Sequence, residues 1–98
     1  MLQALVIDPK DNVANLIGRG PRGSEVHCRV ENETEPVRMT LADEIPANHK
    51  FALTEIRSGQ PIVKYGLVIG KASIDIAPGA HVHVHNIESN RGRGDLGE

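Results

Sequence analysis

Three histidines alternate with valine in His81-Val82-His83-Val84-His85. In a strand, residues two apart share a face, so the three imidazoles line one side and Val82 and Val84 point to the core. Same-face Cα atoms are about 7 Å apart. Neighbouring imidazoles at that spacing can converge on one ion at the usual bond length of about 2.1 Å. The outer pair, about 13 Å apart, joins them only where the strand twists or bulges. Such a face can ligate a metal, transfer a proton or bind an anion as imidazolium. The plain alternative is a solvated polar strand face.

Other groups are weaker candidates. His49-Lys50 follows a turn and is placed to meet an anionic ligand, unless it is simply a solvated pair. Lys64-Tyr65 precedes Gly66; here the alternative is a tyrosine body packed beside a snorkelling lysine. Cys28 falls on the inward face of its strand and reads as core rather than nucleophile. Gly18-Arg19-Gly20-Pro21-Arg22-Gly23 could hold a phosphate or carboxylate, but nothing puts it at a helix N-terminus. Arg91-Gly92-Arg93-Gly94 has too few arginines for a nucleic-acid-binding segment.

The elements that must position these groups are short. Leu2 to Ile7 reads as a strand. Asp8-Pro9 predicts a helix start, with Val13, Leu16 and Ile17 as its apolar stripe and Gly18 as its end. Glu25 to Glu31 and Val37 to Leu41 alternate and predict a hairpin around the polar turn Asn32 to Glu35. Three segments share one pattern: an acidic residue, Ile, two residues, Gly or Asn, two residues, then an apolar one. They begin at Glu44-Ile45, Glu55-Ile56 and Asp75-Ile76. Each predicts a buried isoleucine and a tight turn through a positive-φ residue, namely Asn48, Gly59 or Gly79. Ile62 to Ala72 gives two strand runs split by Gly66, and Ala80 to Ile87 is the last strand. The expected fold is all-β with one short helix near the N-terminus. The domain spans residues 1–87, and 88–98 is a polar flexible tail.

Composition agrees. The chain has 98 residues, one domain's worth, with 10 Gly, 6 Pro and only Tyr65 and Phe51 as aromatics, so the core must be aliphatic. A net charge of −2 gives no basic field for nucleic acid. One cysteine excludes an internal disulfide framework and fits a reducing compartment. No apolar run approaches the roughly 20 residues of a membrane span, and the first residues lack signal-peptide features, so a cytoplasmic location is expected.

Asp11-Asn12-Val13-Ala14, Ile45 to Leu53, Ile62 to Gly70, Ile76 to Asn86 and Arg91 to Asp95 occur in that order. Together they resemble the small SAF-domain part of the altronate/galactarate dehydratase family, over about Leu5 to Asp95. Asn48 stands where that family usually has Gly; Asn adopts the same backbone conformation. The resemblance implies a β-clip fold, a long bent sheet folded over itself. It implies work beside a much larger catalytic part, here expected as a separate lyase subunit. It implies elimination of water, or of sulfite, from a hydroxy acid such as altronate, galactarate or sulfolactate, with a divalent metal, Fe2+. On that basis His83 and His85 are expected to hold metal and His81 to donate a proton or support the ligands. His49, Lys50, Lys64 and Tyr65 are expected to meet the substrate. The alternative is a non-catalytic SAF module that binds an acidic sugar. A homo-oligomer formed through sheet edges is also compatible with the sequence.

Overall fold

The computed structural model describes residues 2–30 and 35–89. It is built of strands and turns: β1 (Leu2–Val6), β2 (Val13–Ile17), β3 (Glu25–Val30), β4 (Val37–Thr40), β5 (Lys50–Ala52), β6 (Pro61–Lys64), β7 (Leu67–Ala72), β8 (His81–Val82) and β9 (Ile87–Ser89). Six strands form one sheet in the order β4-β3-β1-β2-β5-β8, and the other three form a second, β6-β7-β9. Only β1 and β3 run parallel; the other pairs are antiparallel. The expected hairpin of β3 and β4 is present, with Val26 opposite Met39 and His27 opposite Arg38. The two strand runs split by Gly66 are β6 and β7, which also pair as a hairpin, turning at Tyr65-Gly66. The all-β, SAF-like class stands. The turn expected at Asn32 to Glu35 lies largely outside the described residues, as do residues 90–98; β9 carries the sheet on through Ser89.

The short helix is not there; its apolar residues form β2. The Asp8 carboxylate accepts from the Lys10 amide at 2.8 Å, and the Asp11 amide donates to the Asp8 carbonyl at 2.9 Å, which closes a turn instead of starting a helix. β2 then lies between β1 and β5, with Val13, Ala14 and Leu16 all buried. A strand buried on both faces over part of its length shows no alternation, so its spacing mimics a helical stripe.

The core is aliphatic and has two parts. One packs Leu16, Val26, Leu41, Ile45 and Phe51 under the large sheet. The other packs Val13, Ala52, Ile56, Ile62, Ile76 and Val82 between the two sheets. The three repeated segments behave as expected. Ile45, Ile56 and Ile76 are buried, and Asn48, Gly59 and Gly79 have φ of 67°, 89° and 82°. In each, the amide three residues after the turn's first carbonyl closes it: His49 to Pro46, Gln60 to Arg57, Ala80 to Ala77. Positive φ at the third position is the type II arrangement.

A fourth copy escaped the sequence pattern. Pro21 to Ser24 closes in the same way, with Gly23 at φ 86°, and Gly20 occupies the isoleucine position. A Cβ on Gly20 would stand 2.6 Å from Leu41 Cδ1 and 2.8 Å from Leu16 Cδ2, so a side chain there requires these leucine tips to shift. The four turns face one another in pairs, through bridges between Gly20 and Ile45 and between Ile56 and Ile76.

Candidate functional site

Two of these turns deliver the site. In chain order, the second, Pro46 to His49, leads into β5, and the last, Ala77 to Ala80, leads directly into His81 and β8. Because β5 pairs with β8, placing Phe51 opposite His81, the two turns bring His49 beside His81. His49 Nδ1 lies 2.9 Å from His81 Nε2, and their rings stack at 5.1 Å. His83 stacks on His49 at 4.4 Å and on His81 at 5.5 Å. One ring nitrogen from each of the three lies within 4.8 Å of the others.

The expected strand from Ala80 to Ile87 breaks after Val82. The Asn86 side chain takes over the backbone: it accepts from the His83 amide at 3.0 Å and donates to the His81 carbonyl at 2.9 Å. The Asn86 amide closes the turn on the His83 carbonyl. Val84, expected in the core, therefore sits at the tip of this turn and is 80% exposed, while Val82 is buried. The bend folds His83 back over His49 and leaves His85 exposed, its ring 5.3 Å from that of His81. Asn86, only 4% exposed, was not singled out from sequence; an Asn just after the histidine run was its only signal.

Electrostatics keep part of this group neutral. The His81 pKa is lowered by burial and by His49, His85 and His83, against a smaller upward pull from Asp43, whose carboxylate accepts from the His81 amide at 2.9 Å. The His83 pKa is lowered by desolvation, then by His49, Lys50 and His85. A lone pair free of protons at neutral pH is what a metal or an acidic proton requires.

Lys50 is half-buried, and burial together with the charge of Lys64 lowers its pKa. Among the described residues neither lysine has a carboxylate partner; the ion pairs are Arg19–Glu44, Arg38–Glu25, Arg57–Glu55 and Lys71–Glu88. Lys64 Nζ lies 4.9 Å over the Tyr65 ring, the packed pair that the sequence allowed. Tyr65 itself has φ 58°, held by the buried Asp11 carboxylate, which accepts from the Tyr65 amide at 3.0 Å and the Gly66 amide at 2.8 Å. Cys28 is buried and its thiol is pushed up to about 11, so it is inert at neutral pH.

The altronate/galactarate dehydratase SAF domain matches residues 2–90. The chain belongs to this family. The SAF domain is 44% identical to the altronate dehydratase of Escherichia coli over 89 residues, 91% of this chain but 17% of that protein. It is 38% identical over 64 residues to the (2R)-sulfolactate sulfo-lyase subunit alpha of Paracoccus pantotrophus, covering 65% of this chain and 96% of that one. The corresponding subunit of Chromohalobacter salexigens is 28% identical over 88 residues. The SAF domain thus spans 17% of the altronate dehydratase of Escherichia coli and nearly the whole of the sulfo-lyase alpha subunits. No helix among its described residues is long and apolar enough to cross a membrane.

Proposed function

We propose that this SAF domain is the small part of a metal-dependent lyase that eliminates water or sulfite from a hydroxy acid, and that it acts with a larger catalytic polypeptide. The observation that carries the reading is the meeting of His49, His81 and His83, in a chain whose relatives are named as a dehydratase and as sulfo-lyase subunits.

The three imidazoles fit a divalent ion. Nitrogens bound at about 2.1 Å and at right angles about one centre lie about 3.0 Å apart. The His49–His81 separation of 2.9 Å already has that value. An all-imidazole set suits a borderline ion such as Fe2+ or Zn2+ rather than Mg2+ or Ca2+. We assign His49, His81 and His83 to the ion, with His85 beside them. When bound, the ion would supply Lewis-acid stabilisation to oxygen atoms of the hydroxy acid. The chain's own contributions are simpler. Asn86 holds the bend that turns His83 inward, and Asp43 holds the His81 backbone. The depressed pKa of His81 and His83 keeps both available as ligands near pH 7.

The larger polypeptide would seat on apolar residues that this domain leaves exposed. Leu5 and Ile17 share one face of β1 and β2, Ile7 follows on, and Leu67, Val68 and Ile69 are exposed in a row along β7. Large apolar side chains left exposed on neighbouring strands are the surface such a partner would cover.

The test is reconstitution. The isolated chain should eliminate nothing; with the large polypeptide and Fe2+ it should turn over a hexonate or sulfolactate. Turnover by the isolated chain refutes the division of labour. A complex of His83→Ala with unchanged metal content and activity refutes the metal assignment.

A further inference from the structure

The structure assigns a carboxylate-binding subsite to Lys50 and Lys64, next to the three histidines, at a cavity between β1, β2 and the β6–β7 turn. The inference rests on the hydroxy-acid reading and names where the acid group of such a ligand sits.

The cavity holds about 50 Å3 and is lined by Leu5, Ile7, Asn15, Lys64 and Tyr65 among others. Leu5 and Lys50 are the two cross-strand partners of Asn15. Residues directly opposite share a face with Cβ atoms about 5 Å apart, so Leu5, Asn15 and Lys50 form one row across three strands. Lys64 and Tyr65 cover the row from the second sheet. Lys50 also lies near the histidine group, since its charge acts on His83 at the bend after β8. The two ammonium groups have no carboxylate partner among the described residues. Asp11 also lines the cavity, but its oxygens are taken by the amides of Asp8, Tyr65 and Gly66.

The Lys64 charge acts on Lys50, and an anion between the two lysines would offset that repulsion. The cavity admits a small planar group and not a whole sugar acid. The carboxylate would sit at the lysines, and the hydroxyl-bearing carbons would extend toward the histidines. The apolar wall of Leu5 and Ile7 lowers the local dielectric and strengthens the pairing.

The experiment is a 1H–15N NMR titration of the full chain with sodium gluconate, in EDTA and low salt. Saturable shifts are expected at Asn15, Lys50, Lys64 and Tyr65, with none for glucose. Lys50→Gln and Lys64→Gln should each weaken binding roughly tenfold, the value of one charge-assisted bond. Lys64→Arg should retain it and so control for folding. Sulfate should displace gluconate. Absence of saturable shifts, shifts confined to another face, wild-type binding by both Gln variants, or indifference to sulfate would overturn the subsite. Metal uptake by the histidines, measured separately on the same chain, decides the metal centre, and reconstitution decides the lyase reading. Lost gluconate binding with intact metal uptake removes only the subsite; the reverse removes only the metal centre.

Discussion

The repeated turn allows a paired test of how the site is held. Gly59 and Gly79 occupy the same position in two copies, at φ 89° and 82°. Replacing either by Ala forces an L-residue into the left-handed region, which costs about 1–2 kcal/mol. At Gly59 nothing lies within 4 Å of the new Cβ, so that is the whole effect. At Gly79 the Cβ would overlap the Thr40 carbonyl oxygen and reach 3.0 Å from the Ala42 nitrogen. Both atoms belong to backbone that cannot swing aside, because the Ala42 amide donates to the Gly79 carbonyl and the Gly79 amide to Ala52. Overpacking of this kind adds about 1–3 kcal/mol. Gly79→Ala should therefore lose about 2–5 kcal/mol against about 1–2 kcal/mol for Gly59→Ala. In a domain of this size a difference of about 1 kcal/mol is about 4–8 °C in Tm. Urea and thermal unfolding followed by circular dichroism measure both. Because the Gly79 turn delivers His81, metal affinity should fall with Gly79→Ala and hold with Gly59→Ala. Equal destabilisation by the two variants would refute the close approach of this turn to Thr40.

Three further outcomes follow from the site. His49→Ala and His83→Ala should each lower Fe2+ or Zn2+ affinity by about 100-fold or more, above the roughly 10–100-fold lost when a group behind a ligand is removed; His85→Asn should lower it less, by calorimetric titration. The pKa values of His81 and His83 lie below the ordinary 6.5, so the unfolded chain takes up protons first as pH falls. Metal-free stability should be full above about pH 6.5 and decline below it; the groups facing the pair are His49, His85, Lys50 and Asp43. Replacing His81 and His83 together by Asn should flatten that decline in Tm against pH. Finally, Leu67→Asp with Val68→Asp should leave the isolated domain folded and abolish co-purification with the large polypeptide.

What could be read from the sequence was what is decided locally. The hairpin of β3–β4 rests on alternation and a turn, the two runs that become β6 and β7 on a glycine break, and Ile45, Ile56 and Ile76 with their positive-φ partners on turn chemistry. What could not be read depends on neighbours far away in the chain. β2 spaces its apolar residues like a helix because β1 and β5 flank it and the second sheet covers part of one face. The Pro21 to Ser24 turn was hidden because Gly20 stands where the other copies have isoleucine, with the side chains of leucines 2, 16 and 41 filling the space. In the site, spacing singled out His81, His83 and His85 as one face of a straight strand. The bend imposed by Asn86 rearranges them, and the third member of the close group, His49, comes from 32 residues away. No spacing rule reaches that partner; only the β5–β8 pairing does.

The same device therefore explains both closure of the fold and placement of the chemistry. All four turns donate the amide of their positive-φ residue to a carbonyl in or just beyond a strand: Gly23 to Leu41, Asn48 to Leu16, Gly59 to Ala72 and Gly79 to Ala52. Each thereby sends the next strand back along an existing one. Just past this bond the first and third turns carry Ser24-Glu25 and Gln60-Pro61, the last turn residue and the first residue of β3 and of β6, with no histidine among them. The second and fourth carry His49-Lys50 and Ala80-His81 at the same positions. Those two feed strands that pair with each other, whereas β3 and β6 lie in different sheets. A ligand-bearing residue placed there on either turn meets its counterpart without any further loop to position it. The site's precision is then the precision of the turns. That is why a single backbone contact at Gly79 should register in metal affinity as well as in stability.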